Sequence, residues 1–104
     1  MIKEIKEMAI RLQQLARQQV AVYRPMVEEI ILNKITDDNT IQRTLDKMLD
    51  FAFEEKMLLL YKKLCRYYWD INPQATANYI NYYREMWDED SQNQIAKNEK
   101  EAER

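Results

Sequence analysis

Three sets of side chains in this sequence could carry chemistry: one thiol, several paired acids and a short basic run beside aromatics. The thiol is Cys65, the single cysteine of a chain with no His. A cysteine nucleophile needs a base beside it and an accessible, electropositive setting. Without His a Cys–His pair is excluded. A lone Cys also makes neither an intrachain disulfide nor a thiolate zinc site. Cys65 stands at helical spacing with Leu58, Leu64 and Tyr68, so it reads as a small buried hydrophobe.

The acids come as Glu28/Glu29, Asp37/Asp38, Glu54/Glu55 and Asp88/Glu89/Asp90. Glycoside chemistry or Mg²⁺ binding would need carboxylates that face each other, and neighbours along a helix do not. Di-iron helical bundles need Glu-x-x-His motifs, which a His-free chain cannot supply. An EF-hand loop needs a central Gly, and the chain has none. The acids therefore read as solvated faces and helix N-termini. No cofactor, no metal and no enzymatic activity is expected.

The basic run is Lys56, Lys62, Lys63 and Arg66, followed by Tyr67-Tyr68-Trp69. Lys62 and Arg66 lie one helical turn apart, and the aromatics could stack on bases. A bend near residue 54 would even suggest a helix-turn-helix. Against this, the turn has no Gly, and Glu54 and Glu55 stand where phosphates would approach. Any amphipathic helix also needs a charged face. Nucleic-acid contact through Lys62, Lys63 and Arg66 is thus the alternative reading rather than the leading one. The aromatic group Tyr61, Tyr67, Tyr68, Trp69, Tyr79, Tyr82, Tyr83 and Trp87 falls mostly on apolar stripes. Tyr82 and one of Tyr67/Trp69 fall off them, where Tyr and Trp anchor partners.

The elements that must position these groups are helices. With 104 residues and no Gly, the chain is one domain at most and poorly suited to hairpins or phosphate-cradling loops. The formal net charge is −2, which favours neither nucleic acid nor an anionic membrane. No apolar run reaches 18 residues, and the mixed charges of Met1–Glu7 lack a signal-peptide core. A cytoplasmic address with no membrane contact is the expectation.

Ile2, Ile5, Met8/Ala9, Leu12 and Leu15/Ala16 mark a narrow helical stripe, continued by Val22/Tyr23, Met26/Val27 and Ile30/Ile31. A stripe so narrow suits one partner helix rather than a broad core. Pro25 should kink or break that helix. Asn33–Thr40 reads as a loop, and Asn39 with Gln42 resembles a capping box that starts a helix near Thr40. The apolar sets Ile41/Leu45/Met48/Leu49/Ala52 and Met57/Leu58/Leu60/Tyr61/Leu64/Cys65/Tyr68 point to different sides at about 100° per residue. A break near Phe53–Lys56 follows. Asn72 caps a last helix with Pro73 at its first position. That helix should bury Thr76, Tyr79, Ile80, Tyr83, Met86 and Trp87.

The stretch Leu64-Cys65-Arg66-Tyr67-Tyr68-Trp69-Asp70-Ile71-Asn72-Pro73, with Tyr79-Ile80 and Tyr83–Trp87 after it, resembles short bacterial proteins of mobile elements in gut anaerobes. The resemblance spans residues 23–90. It implies a small all-helical accessory protein, and it carries no catalytic or binding residue onto this sequence.

The expected architecture is all-α, four or five helices within residues 1–90 and an extended first helix. Residues 91–104 should form a polar, acidic tail, since 88–104 hold six acids against three bases. The leading function is a non-enzymatic protein–protein interaction or accessory protein. It should self-associate through Ile5, Met8, Leu12 and Leu15 and meet an unidentified protein partner.

Overall fold

The computed structural model describes residues 2–87, leaving the acidic tail outside the described residues. It is all-helical: α1 (Ile2–Leu32), α2 (Asp38–Leu49), α3 (Glu55–Trp69) and α4 (Pro73–Trp87). Among the described residues there is no strand.

The chain continues as one helix through Pro25, so of the two expectations there, a kink or a break, the break is absent. The physical reason lies in which face the proline occupies. Pro25 and Ala21, whose carbonyl loses its N–H partner, both lie on the exposed face of the helix, where solvent can take the place of the missing donor. The opposite face carries Ala16, Val20, Tyr23, Val27 and Ile30, all buried. Docking on both sides of the proline holds the helix together.

α1 ends where Lys34 takes a left-handed conformation, φ 52°. Ile35 N–H donates to the Ile30 carbonyl at 2.9 Å and Lys34 N–H to Ile31 at 3.2 Å, the paired bonds of a Schellman stop. α2 begins two residues before Thr40, capped by Asp37 rather than Asn39. Thr40 donates to the Asp37 carboxylate through its N–H at 2.9 Å and its hydroxyl at 2.6 Å. The Thr40 hydroxyl, then its N–H, hold the Asp37 carboxyl below its ordinary pKa. Of the two cap candidates, the carboxylate of Asp37, three residues before a hydroxyl donor, holds the cap in place of the Asn39 amide.

The break between the second and third helices falls at residues 50–54, with α3 starting at Glu55. It turns the chain so that both apolar sets, Ile41 to Ala52 and Met57 to Tyr68, enter one core. Asn72 caps α4 as its sequence indicates, accepting from Ala75 N–H at 3.0 Å.

α3 is the central element: α1, α2 and α4 all pack against it. Tyrosine and tryptophan tips tie the helices across their polar edges. Tyr61 donates to the Tyr79 carbonyl at 2.7 Å, Tyr67 to the Ile35 carbonyl at 2.6 Å, and Trp87 to the Leu49 carbonyl at 2.8 Å. Tyr68 donates to Asp38 at 2.5 Å and accepts from Gln42 at 2.8 Å. Tyr79 reaches Asp46 at 2.8 Å. The abundance of aromatics has this cause: a buried Tyr supplies apolar area and a donor for a helix-edge acceptor.

Two expected core members of α4 lie elsewhere. Ile80 and Met86 are 40% and 41% exposed, because α4 turns only its Thr76–Tyr79 line fully inward, with Tyr83 and Trp87 partly covered.

Candidate functional site

The structure leaves two apolar surfaces without cover among the described residues. One is the first half of α1. From Lys3 to Leu15 every residue is exposed, a span of about 20 Å at 1.5 Å per residue. The expected stripe is there: Ile5 is 68%, Met8 62%, Leu12 55% and Leu15 43% exposed. Burial starts at Ala16 and continues through Ile30. The start of α3 lies beside Arg17, whose Nε is 3.8 Å from Glu54, and Ile35 beyond the end of α1 meets Tyr67 near the end of α3. α1 therefore runs parallel to α3 and extends past its beginning, so the apolar stripe outlasts the body it docks on. Ile10, 57% exposed, lies off the stripe by its spacing.

The other surface is a groove of about 470 Å³ between α3 and α4. Leu58, Tyr61 and Cys65 of α3 face Ile80 and Tyr83 of α4 across it. Lys62, Arg66 and Asp70 line its α3 side at successive turns. Trp69, half exposed, stands by the same end as Asp70. The groove exists because α4 offers Thr76 and the outward-leaning Ile80 where a full core helix would insert large side chains.

The basic set is not one cluster. Lys62, Lys63 and Arg66 are all exposed, but Lys63 falls on the α1 side of α3. There it shares a hollow of about 250 Å³ with Arg24, Glu28, Lys56 and Leu59. Lys62 and Arg66 belong to the groove. Of the off-stripe aromatics, Tyr82 and Trp69 are exposed while Tyr67 is tied to Ile35.

Both titratable groups of the groove floor are shifted toward their protonated forms. Burial pushes the Cys65 thiol up to about 12 against a partial offset from the Tyr61 hydroxyl. Burial likewise raises the Tyr61 phenol. Among the described residues no three His, Cys, Asp or Glu side chains gather as a metal site. No described helix is long and apolar enough to cross a membrane.

Glu54 stands at a helix N-terminus, one of the two roles expected of the paired acids, but sequence reading missed its burial, at 3% exposed. Its carboxylate turns inward to cap α3, accepting from Met57 N–H at 3.0 Å. The available signal was the three-residue spacing from an acid to the first apolar position of the helix. The groove was missed because its α4 wall depends on how deeply that helix sits. No family model matches the chain, nor does any curated relative or solved structure.

Proposed function

We propose that this protein is a non-enzymatic interaction protein that self-associates through the first half of α1. One observation carries the reading: Ile5, Met8, Leu12 and Leu15 line one face of a helix on which no described residue packs. Burying such side chains is worth roughly 1.5–3 kcal/mol each. A micromolar complex needs about 8 kcal/mol net of association costs. Since the body already holds the second half of α1, little helix ordering is left to be done on pairing. A monomer that kept this stripe in water would carry a long apolar strip for no structural return. A soluble, cytoplasmic accessory role of the kind implied by the resemblance to mobile-element proteins accords with this reading, with an unidentified protein as the further partner.

Sedimentation velocity and light scattering at tens of micromolar test it. Wild type should exceed the monomer mass, and Ile5→Lys/Leu12→Lys should be monomeric with its helical circular dichroism kept. A monomeric wild type defeats the proposal.

Nucleic-acid binding through Lys62, Lys63 and Arg66 is the competing reading. The separation of Lys63 from the other two weakens it, because a phosphate track needs its cations in line. Heparin or DNA retention that falls steeply with salt, and that the triple alanine variant loses, would favour it over self-association.

A further inference from the structure

The α3–α4 groove and the overhanging half of α1 are both apolar and both uncovered by described residues, and their flanking charges match in order. We propose that the groove of one copy receives the α1 overhang of a second copy, lying parallel to α3. This inference rests on the self-association reading and names the surface that receives the helix.

The match is residue by residue. Along the α3 side of the groove the charges run Lys62, Arg66, Asp70: positive, positive, negative. Along one flank of the α1 stripe they run Glu4, Glu7, Arg11: negative, negative, positive. Each of these three stands one position before a stripe residue, Ile5, Met8 or Leu12. They therefore share one side of the apolar face at about 100° per residue. Residues 4 to 11 rise about 10 Å and residues 62 to 70 about 12 Å. In the parallel direction Glu4 meets Lys62, Glu7 meets Arg66 and Arg11 meets Asp70. In the antiparallel direction, with the stripe still on the floor, that flank turns toward α4 and all three pairs with the α3 wall are lost. The charged flank thus selects the direction as well as the occupant. In the parallel register Ile5 lies between the levels of Tyr61 and Cys65, Met8 lies near Cys65 and Leu12 reaches the Trp69 end of the groove, the helix-in-groove mode of recognition. Lys3 and Lys6 lie on the far side of the stripe by the same spacing and stay in water.

The test is sedimentation equilibrium on the full chain, with circular dichroism on every variant. Wild type should associate, and Leu12→Glu should not. Ile80→Glu, placed at an already exposed groove position, should abolish association while helicity stays. Lys62→Glu/Arg66→Glu should weaken it at least about tenfold. Adding Glu4→Lys/Glu7→Lys should bring the affinity back to within a few-fold of wild type. If the groove variants associate like wild type while Leu12→Glu is monomeric, the helix pairs with another helix instead. The groove inference then fails while self-association stands. If wild type is monomeric, or Leu12→Glu still associates, both fail. Should Ile80→Glu unfold, the reversed pair and its rescue decide alone, since Lys62 and Arg66 are exposed. A rescue that restores nothing overturns the pairing.

Discussion

Glu54 and Arg17 meet where α1 leaves the body, with one Glu54 oxygen capping Met57 N–H at 3.0 Å and the other 3.8 Å from the Arg17 guanidinium. The two partners differ in environment: Glu54 is buried and Arg17 is exposed. The cap therefore matters more than the ion pair. Glu54→Ala removes the acceptor of a buried helix N-terminus and should destabilise by about 1–3 kcal/mol. Glu54→Gln keeps an acceptor and should recover part of it. Arg17→Ala should cost under about 1 kcal/mol, as exposed pairs do. Urea unfolding of the three variants checks the order. An Arg17→Ala loss equal to that of Glu54→Ala would make the ion pair the chief contribution.

A second prediction concerns alkaline pH. Burial, with nearby Asp46 for Tyr79 and Asp38 for Tyr68, raises the phenols of Tyr61, Tyr68 and Tyr79 above the ordinary 10.0. The Cys65 thiol rises from 9.0 to about 12. Groups with raised folded values stabilise fully below their unfolded pKa, and that contribution is lost as pH climbs toward the folded value. Stability should thus hold from neutral pH to about 9 and decline steadily toward about 12. Tyrosinate absorbance from Tyr61, Tyr68 and Tyr79 should rise together with the loss of helical signal. Phe variants at those positions should remove that late absorbance one residue at a time. Ionisation of all tyrosines with the helices intact would contradict the raised values.

These residues also show where sequence reading reached and where it stopped. Helix existence was legible because apolar stripes repeat at helical spacing, as in Ile41–Leu45–Met48, whose three members are buried. The 50–54 break was legible because two stripes pointed apart. Pro25 left a kink and a break open, and the break is absent: whether the helix continues depends on the tertiary face on which the proline and the carbonyl one turn back lie. Ile80 misled for the related reason that periodicity gives a face but not how deeply it sinks. The i, i+4, i+8 series Lys62, Arg66, Asp70 was present in the sequence, yet its meaning required α4 on the other side of the groove. Glu54 looked solvated because charged residues rarely bury, and only its cap explains the exception.

Pro25 yields a third prediction. A proline inside a helix costs about 3 kcal/mol through a lost bond and a ring clash. Pro also restricts the unfolded chain, which returns about 0.4–1 kcal/mol. Since Ala21 and Pro25 both lie on the exposed face, Pro25→Ala should raise stability by about 2–2.6 kcal/mol, read as a higher thermal midpoint. Self-association should be unchanged, because the proline lies outside the exposed Lys3–Leu15 span. A destabilised variant would mean that the proline sets the geometry by which Val20 and Tyr23 dock relative to Val27 and Ile30.

Lys34 yields the last. It occupies the left-handed position just past α1, at φ 52°, in a chain with no Gly anywhere. That conformation costs a residue with a Cβ roughly 1–2 kcal/mol, and Gly nothing comparable. The stop cannot move elsewhere cheaply. Ile35 N–H already bonds Ile30 at 2.9 Å, and Ile35 packs against the core near Tyr67, which donates to its carbonyl. The surroundings therefore hold Lys34 in the strained well. Lys34→Gly should relieve the strain, less the roughly 0.5–1 kcal/mol that a more flexible unfolded chain takes back. The net expectation is a gain of about 0.5–1 kcal/mol. Lys34→Asn should fall between, since Asn tolerates this region better than Lys. Lys34→Val should destabilise, because a β-branched side chain fits it worst. Chemical denaturation of the series checks the order Gly, Asn, Lys, Val. A glycine variant less stable than wild type would show that the lysine contributes more as a side chain at the end of α1 than it loses as backbone.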